Sequence, residues 1–188
     1  MQIDMQKVGK AAVLAGALNG RRVLVTLLAA AETEPQSAEL IFLDFGRINV
    51  ATASFLRESV LTFRDIVRGR RSNFYPVIAN ANDAVRDELL ELAKFCGGTL
   101  MTCTLANDGQ VSEATLIGHL DPKQQVTFDL VRERGETDAA ELMRNYGEKE
   151  GVKQTAWNNR LAALAALGLV VEISQGRTKR YRPLLEGV

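Results

Sequence analysis

Ten residues near the C-terminus carry the chemistry most directly named by their types and spacing. Lys153, Gln154, Thr155, Asn158, Asn159 and Arg160 fall in one stretch, and Arg177, Lys179, Arg180 and Arg182 in the next. Side-chain amides can bond adenine edges in pairs, arginine can bond guanine, and threonine can reach a phosphate or a thymine methyl. Cations on a neighbouring ribbon would lie against the phosphate backbone or enter the minor groove, giving orientation and salt-dependent affinity rather than base reading. The chemistry these residues suit is recognition of double-stranded DNA.

Such groups need elements to aim them, and the flanking sequence supplies a pattern. Trp157, Leu161, Leu164 and Leu167 recur at helical spacing and share one face, which turns Gln154, Thr155, Asn158 and Asn159 outward with Arg160 alongside. Gly168 stands where a helix stops, because glycine takes positive φ cheaply. The β-branched run Leu169–Ile173, the turn Ser174-Gln175-Gly176 and the alternating basic return Thr178–Arg182 before Pro183 predict a two-stranded ribbon. The alanines of the helix (Ala162, Ala163, Ala165, Ala166) require close packing against helices of the same domain or against a second copy. From Lys153 to Arg182 there are six cations against Glu172 alone. Helix, glycine stop and basic ribbon resemble the second half of the winged helix-turn-helix domains of bacterial regulators. That resemblance implies a recognition helix for duplex DNA, transcription regulation, and pairing as a homodimer on palindromic half-sites.

Elsewhere the sequence offers isolated groups rather than constellations. Asp44 ends an apolar run without a second acid, a metal cluster or a nucleophile, so it reads as an acceptor for the following loop. His119 is alone near a strand end. Cys96 and Cys103 lack metal-ligand spacing and read as reduced, packed thiols. Gly16–Gly20 lacks the lysine and spacing of a phosphate loop. Arg68-Gly69-Arg70-Arg71 reads as a solvated helix terminus complementing the helix dipole. No catalytic residue, metal site or cofactor is assigned, and the chain is not read as an enzyme.

At 188 residues the chain suits one large or two small domains. Hydrophobic content of 46%, charged content of 24% and a net charge of zero describe an ordinary globular protein with no whole-molecule field towards nucleic acid or membrane. No apolar run reaches membrane-spanning length, and Met1–Lys10 lacks the layout of a secretory leader. The expected location is cytoplasmic, with no membrane partner.

In order, Met1–Leu18 suggests one or two short edge strands, Asn19-Gly20 a break, and Arg21–Ala31 a buried helix. Leu40–Phe45 is a strand covered on both faces, followed by a helix from about Thr52 to Arg68. Strand Phe74–Ala79, a helix through Val85, Leu89, Leu92, Ala93 and Cys96, strand Thr99–Leu105 and an extended piece Val111–Leu120 complete the first half. Alternating strands and helices predict an α/β layer. Residues 1–120 are expected as this domain, 121–125 as a polar linker, and 126–188 as a small α+β winged-helix domain with helices Val126–Arg134 and Thr137–Tyr146.

The run Leu43–Leu56 (LDFGRINVATASFL) resembles the central motif of STAS domains, the fold of anti-sigma-factor antagonists, and more narrowly STAS-like domains with an "LDF…SF" motif. In the antagonist branch the serine opening the helix is phosphorylated by a partner kinase. The matching position is Ser54, a candidate regulatory phosphorylation site. Thr52-Ala53 stands where Asp-Ser is usual and Phe55 where glycine is usual. The other reading of Thr52 and Ser54 is that they cap the helix. The leading expectation is a DNA-binding regulator whose STAS-like domain pairs the chains or receives a signal. The alternative is a partner-switching adaptor, in which the STAS-like face binds a kinase or other ATPase and the winged helix contacts protein.

Overall fold

The computed structural model describes residues 1–96, 98–176 and 178–185. It divides into two compact units, Met1–His119 and a second beginning at Leu120. The fold is mixed α/β around a mostly parallel sheet.

The first unit holds a five-stranded sheet in the order β1 (Gln2–Asp4), β3 (Glu39–Asp44), β5 (Phe74–Ala79), β6 (Leu100–Leu105), β7 (Val111–Ile117). The first four strands are parallel, and β7 runs antiparallel to β6. All six residues of β5 are buried, as expected of a strand with helices over both faces. Proline is rare in such a strand because it cannot donate to the ladder. Pro76 is tolerated because β5 pairs with β6 only at Ile78 and Ala79, so no rung is lost on that side. In β7 two residues, Glu113 and Ala114, stand opposite Cys103 alone. The register shifts there, and Glu113 takes a φ of 51°. This is a β-bulge on the outer strand.

Between the strands lie α1 (Met5–Gly9), β2 (Val13–Leu14), α2 (Ala17–Ala30) and β4 (Val50–Ala51), with β2 and β4 forming a separate parallel pair. A continuous helix follows, α3 (Ala53–Leu56), a π-helical turn (Arg57–Leu61) and α4 (Thr62–Gly69). The π turn has no sequence signal. Hydroxyls answer its displaced carbonyls, Ser59 donating to Phe55 O at 2.7 Å and Thr62 to Arg57 O at 2.8 Å. Asn19-Gly20 does not break the chain but lies inside α2. Gly20 is required by packing, since a Cβ there would sit 2.7 Å from Phe55 O. Helix α5 (Asp83–Cys96) begins with Asn82 accepting from Val85 N–H at 3.0 Å. The core gathers Leu27, Ile41, Leu43, Phe45, Phe55, Leu56, Phe63, Ile78, Val85 and Leu89.

Two further expectations in this unit are corrected. Arg68 is buried, not solvated. Its Nη1 donates to Ser72 O at 2.6 Å and Phe74 O at 3.0 Å, and the guanidinium lies 4.0 Å over the Tyr75 ring. It ties the end of α4 to the start of β5, where a guanidinium can satisfy carbonyls that the turn leaves open. Of the cysteines only Cys103 is packed, and Cys96 is exposed at the end of α5.

The second unit comprises α6 (Pro122–Arg134), α7 (Ala139–Glu150), α8 (Gln154–Leu167) and the antiparallel pair β8 (Val170–Gln175) and β9 (Thr178–Pro183). Residues 121–125, expected as a linker, are the cap and first turn of α6. Asp121 accepts from Lys123 and Gln124 N–H at 2.9 and 3.0 Å, and Pro122 takes the first helical position. Helix α7 runs through Gly147 to Gly151, the latter closing it at φ 64°. Trp157, Phe128, Val131, Leu142, Leu161, Leu164 and Tyr181 form the buried centre. Thr137, in the α6–α7 turn, makes reciprocal backbone bonds with Tyr181 at 2.9 and 2.8 Å, adding a one-residue third strand beside the hairpin. No helix among the described residues is long and apolar enough to cross a membrane.

Candidate nucleic-acid interface

Helix α8 is anchored by Trp157, Leu161 and Leu164, each fully buried. The spacing that buries these three turns Gln154, Thr155, Asn158 and Asn159 to solvent, and all four are exposed. None of the four side chains bonds to another described residue, so two primary amides of asparagine and one of glutamine stand with their donors and acceptors free. Lys153 occupies the N-cap position, exposed, and the helix has no side-chain cap. The N–H groups of Gln154 and Thr155 and the positive end of the helix are therefore open to an anion, whereas Ala156 N–H donates to Lys153 O at 2.9 Å. Arg160 is half-buried with its guanidinium 5.0 Å from the Trp157 ring, a cation–π contact that holds it beside the polar face. Ala165 is buried, whereas Ala162 and Ala166 are exposed and continue the outward stripe as small residues.

The hairpin differs from the sequence expectation. Lys179 is exposed but pairs with Glu172 on the facing strand at 2.7 Å. Arg180 turns back towards the α6–α7 turn, pairing with Glu136, with Asp138 at 3.7 Å and with Glu141 at 3.8 Å. Glu141 also holds Arg134 and accepts from the Thr137 hydroxyl at 3.1 Å. The Arg134 contact, reinforced by Thr137 and Arg180, keeps the Glu141 carboxyl below its ordinary range. Three carboxylates thus surround one guanidinium, which braces the base of the hairpin rather than facing outward. Arg182 is exposed and makes no ion pair with a described residue. Arg177 lies outside the described residues.

The acids that engage Arg180 sit forty residues upstream, beyond the Lys153–Arg182 window whose charge looked one-sided. From Leu120 onward the chain has eleven Lys and Arg against ten Asp and Glu. The second unit is balanced, and Lys153 at the start of α8 and Arg182 on β9 are among its cations that make no ion pair with a described residue. Glu172 also accepts from the Tyr181 hydroxyl at 3.2 Å. Burial, then the Glu172 charge, pushes that phenol far up, so it stays a donor at any working pH.

In the first unit, Ser54 is half-buried with Oγ 3.2 Å from Thr52 Oγ1. Thr52 caps the helix, accepting from Phe55 N–H at 3.4 Å and from Gly16 N–H at 3.2 Å. Ala53 N–H donates to Glu88 Oε2 of α5 at 2.9 Å. A carboxylate from the same unit therefore already takes the first N–H of this helix. Asp44 accepts from Gly46 N–H and Asn80 Nδ2 at 2.9 Å each and from Gln2 Nε2 at 2.8 Å, the loop-holding arrangement read from sequence. His119 is exposed. The Cys103 thiol is pushed up to about 11 by burial and then by Asp44. No cluster of three or more metal-ligating side chains occurs among the described residues. No protein-family model matches the chain, and no curated protein matches its sequence.

Proposed function

We propose that the chain is a DNA-binding regulator whose second unit acts as a winged helix. Helix α8 enters the major groove with Asn158, Asn159, Gln154 and Thr155 towards base edges. Lys153 and Arg182 take flanking phosphates, and the same role is proposed for Arg177, which lies outside the described residues. Lys179 and Arg180 are reassigned, Lys179 to a pair across the hairpin and Arg180 to bracing it. The observation that carries the reading is the α8 face itself: four exposed polar side chains without partners, rigidly backed by Trp157, Leu161 and Leu164. The one-residue strand at Thr137 supports it, because it fixes the hairpin beside the helices as a wing requires. The first unit, read as STAS-like, pairs two chains or receives the signal, and the location is the cytoplasm of a bacterium. No catalytic residue, cofactor or metal belongs to this reading.

Selection of bound sequences from random duplexes at two salt concentrations tests it. A recovered consensus that Asn158→Ala relaxes at one position, at a cost of about 1–3 kcal/mol in discrimination, supports base reading. Recovery of no sequence at either salt removes DNA from the account.

The internal pairing of Lys179 and Arg180 favours a second reading, the partner-switching adaptor with a kinase or other ATPase on the first unit. In that case a protein is retained by the full chain while no duplex is shifted.

A further inference from the structure

The first unit contains a cavity of about 360 Å³ bounded by α1, β2 and the first half of α2. Its volume lies in the range of small-molecule sites, which are typically apolar with a few convergent polar groups. It is lined by the buried Leu14, Val23 and Phe55, the half-buried Val8, and the exposed cations Lys10 and Arg22, among others. No Asp or Glu lines it. Neither Lys10 nor Arg22 makes a side-chain hydrogen bond or ion pair with any described residue, in a molecule whose net charge is zero. An anion entering this concavity would meet two exposed cations that no carboxylate of the lining neutralises.

Lys10 ends α1 in the left-handed region at φ 56°, a place where glycine is the inexpensive choice. A lysine among the lining residues is therefore held there at some conformational cost.

We propose that this cavity binds a small organic anion, its carboxylate or phosphate held between Lys10 and Arg22 and its apolar body against Val8, Leu14, Val23 and Phe55. The site is independent of DNA binding by the second unit, and its occupancy is a signal that the first unit can receive.

Calorimetric titration of the full chain with phenyl phosphate, benzoate and neutral benzyl alcohol tests it. One or both anions bind and the alcohol does not. Arg22→Ala and Lys10→Ala each weaken the anion by roughly tenfold, the loss of one charge-assisted hydrogen bond. Arg21→Ala leaves affinity unchanged, since Arg21 lies outside the cavity wall and is engaged by Glu58 at 2.8 Å. Circular dichroism reports whether each variant folds, and either charge removal suffices if the other does not. Binding of neither anion, equal binding of the alcohol, or anion affinity untouched by loss of Arg22 or Lys10 overturns the proposal.

Discussion

Two helices of this chain begin at positions the sequence marks as functional, and their first turns are finished in opposite ways. At the start of α3, Thr52 caps and Glu88 reaches from α5 to take the Ala53 N–H, so the positive end is answered from within. At the start of α8 no side chain caps, Lys153 stands at the cap position, and the polar side chains of the first two turns are unpartnered. A completed helix end leaves an incoming phosphate to compete with a resident carboxylate. An open one leaves N–H groups and a cation for a ligand from outside. The difference leaves the start of α8, and not the start of α3, with its end open to an outside ligand, which is why α8 is proposed for contact.

Substitutions at five positions break or sharpen that contrast. The largest effect is expected from Trp157→Ala, which removes the anchor of α8 and costs about 3–5 kcal/mol of stability, measured by urea unfolding. Trp157→Phe costs less, because the buried indole N–H makes no hydrogen bond that would be lost. Equal stability of the alanine variant would mean that α8 is held by something other than its buried face. Next is Glu88→Ala, which leaves the α3 start without its carboxylate and costs about 1 kcal/mol, the magnitude of a lost cap. If the cost is nil, the two helix starts are not different in kind. The smallest effects are on salt dependence. Lys153→Ala and Arg182→Ala each reduce the slope of log affinity against log salt by about one for any duplex. Arg180→Ala leaves that slope unchanged while loosening the hairpin, read as faster amide exchange in β9.

The elements that sequence pattern revealed are those whose identity is local. Strand Phe74–Ala79, helix α5 with Val85, Leu89 and Leu92, and helix α8 with its Gly168 stop each announce themselves by periodicity and a terminating residue. What pattern could not reveal depends on partners distant in the chain. Arg68 looked like a solvated terminus because the carbonyls it serves, at Ser72 and Phe74, are freed only by the fold. Arg180 looked like a phosphate contact because its acids lie at Glu136, Asp138 and Glu141, outside any window centred on the hairpin. Gly20 looked like a break because the carbonyl of Phe55 that excludes a side chain is contributed by another helix. The Thr137–Tyr181 pairing spans a single residue, too short for any alternation to mark. At the candidate interface the outward face of α8 was therefore legible, and the division of the hairpin cations into free and engaged was not.

The kink at Glu113 has a consequence for how copies of this chain meet. A straight outer strand seven residues long would offer its backbone as a template, and a neighbouring molecule could extend the sheet indefinitely. By bending that rim, the extra residue spoils the even spacing of donors and acceptors that such growth requires. Copies at high concentration therefore have no continuous seam to zip along at that rim, and association there is left to side chains, which choose their partners.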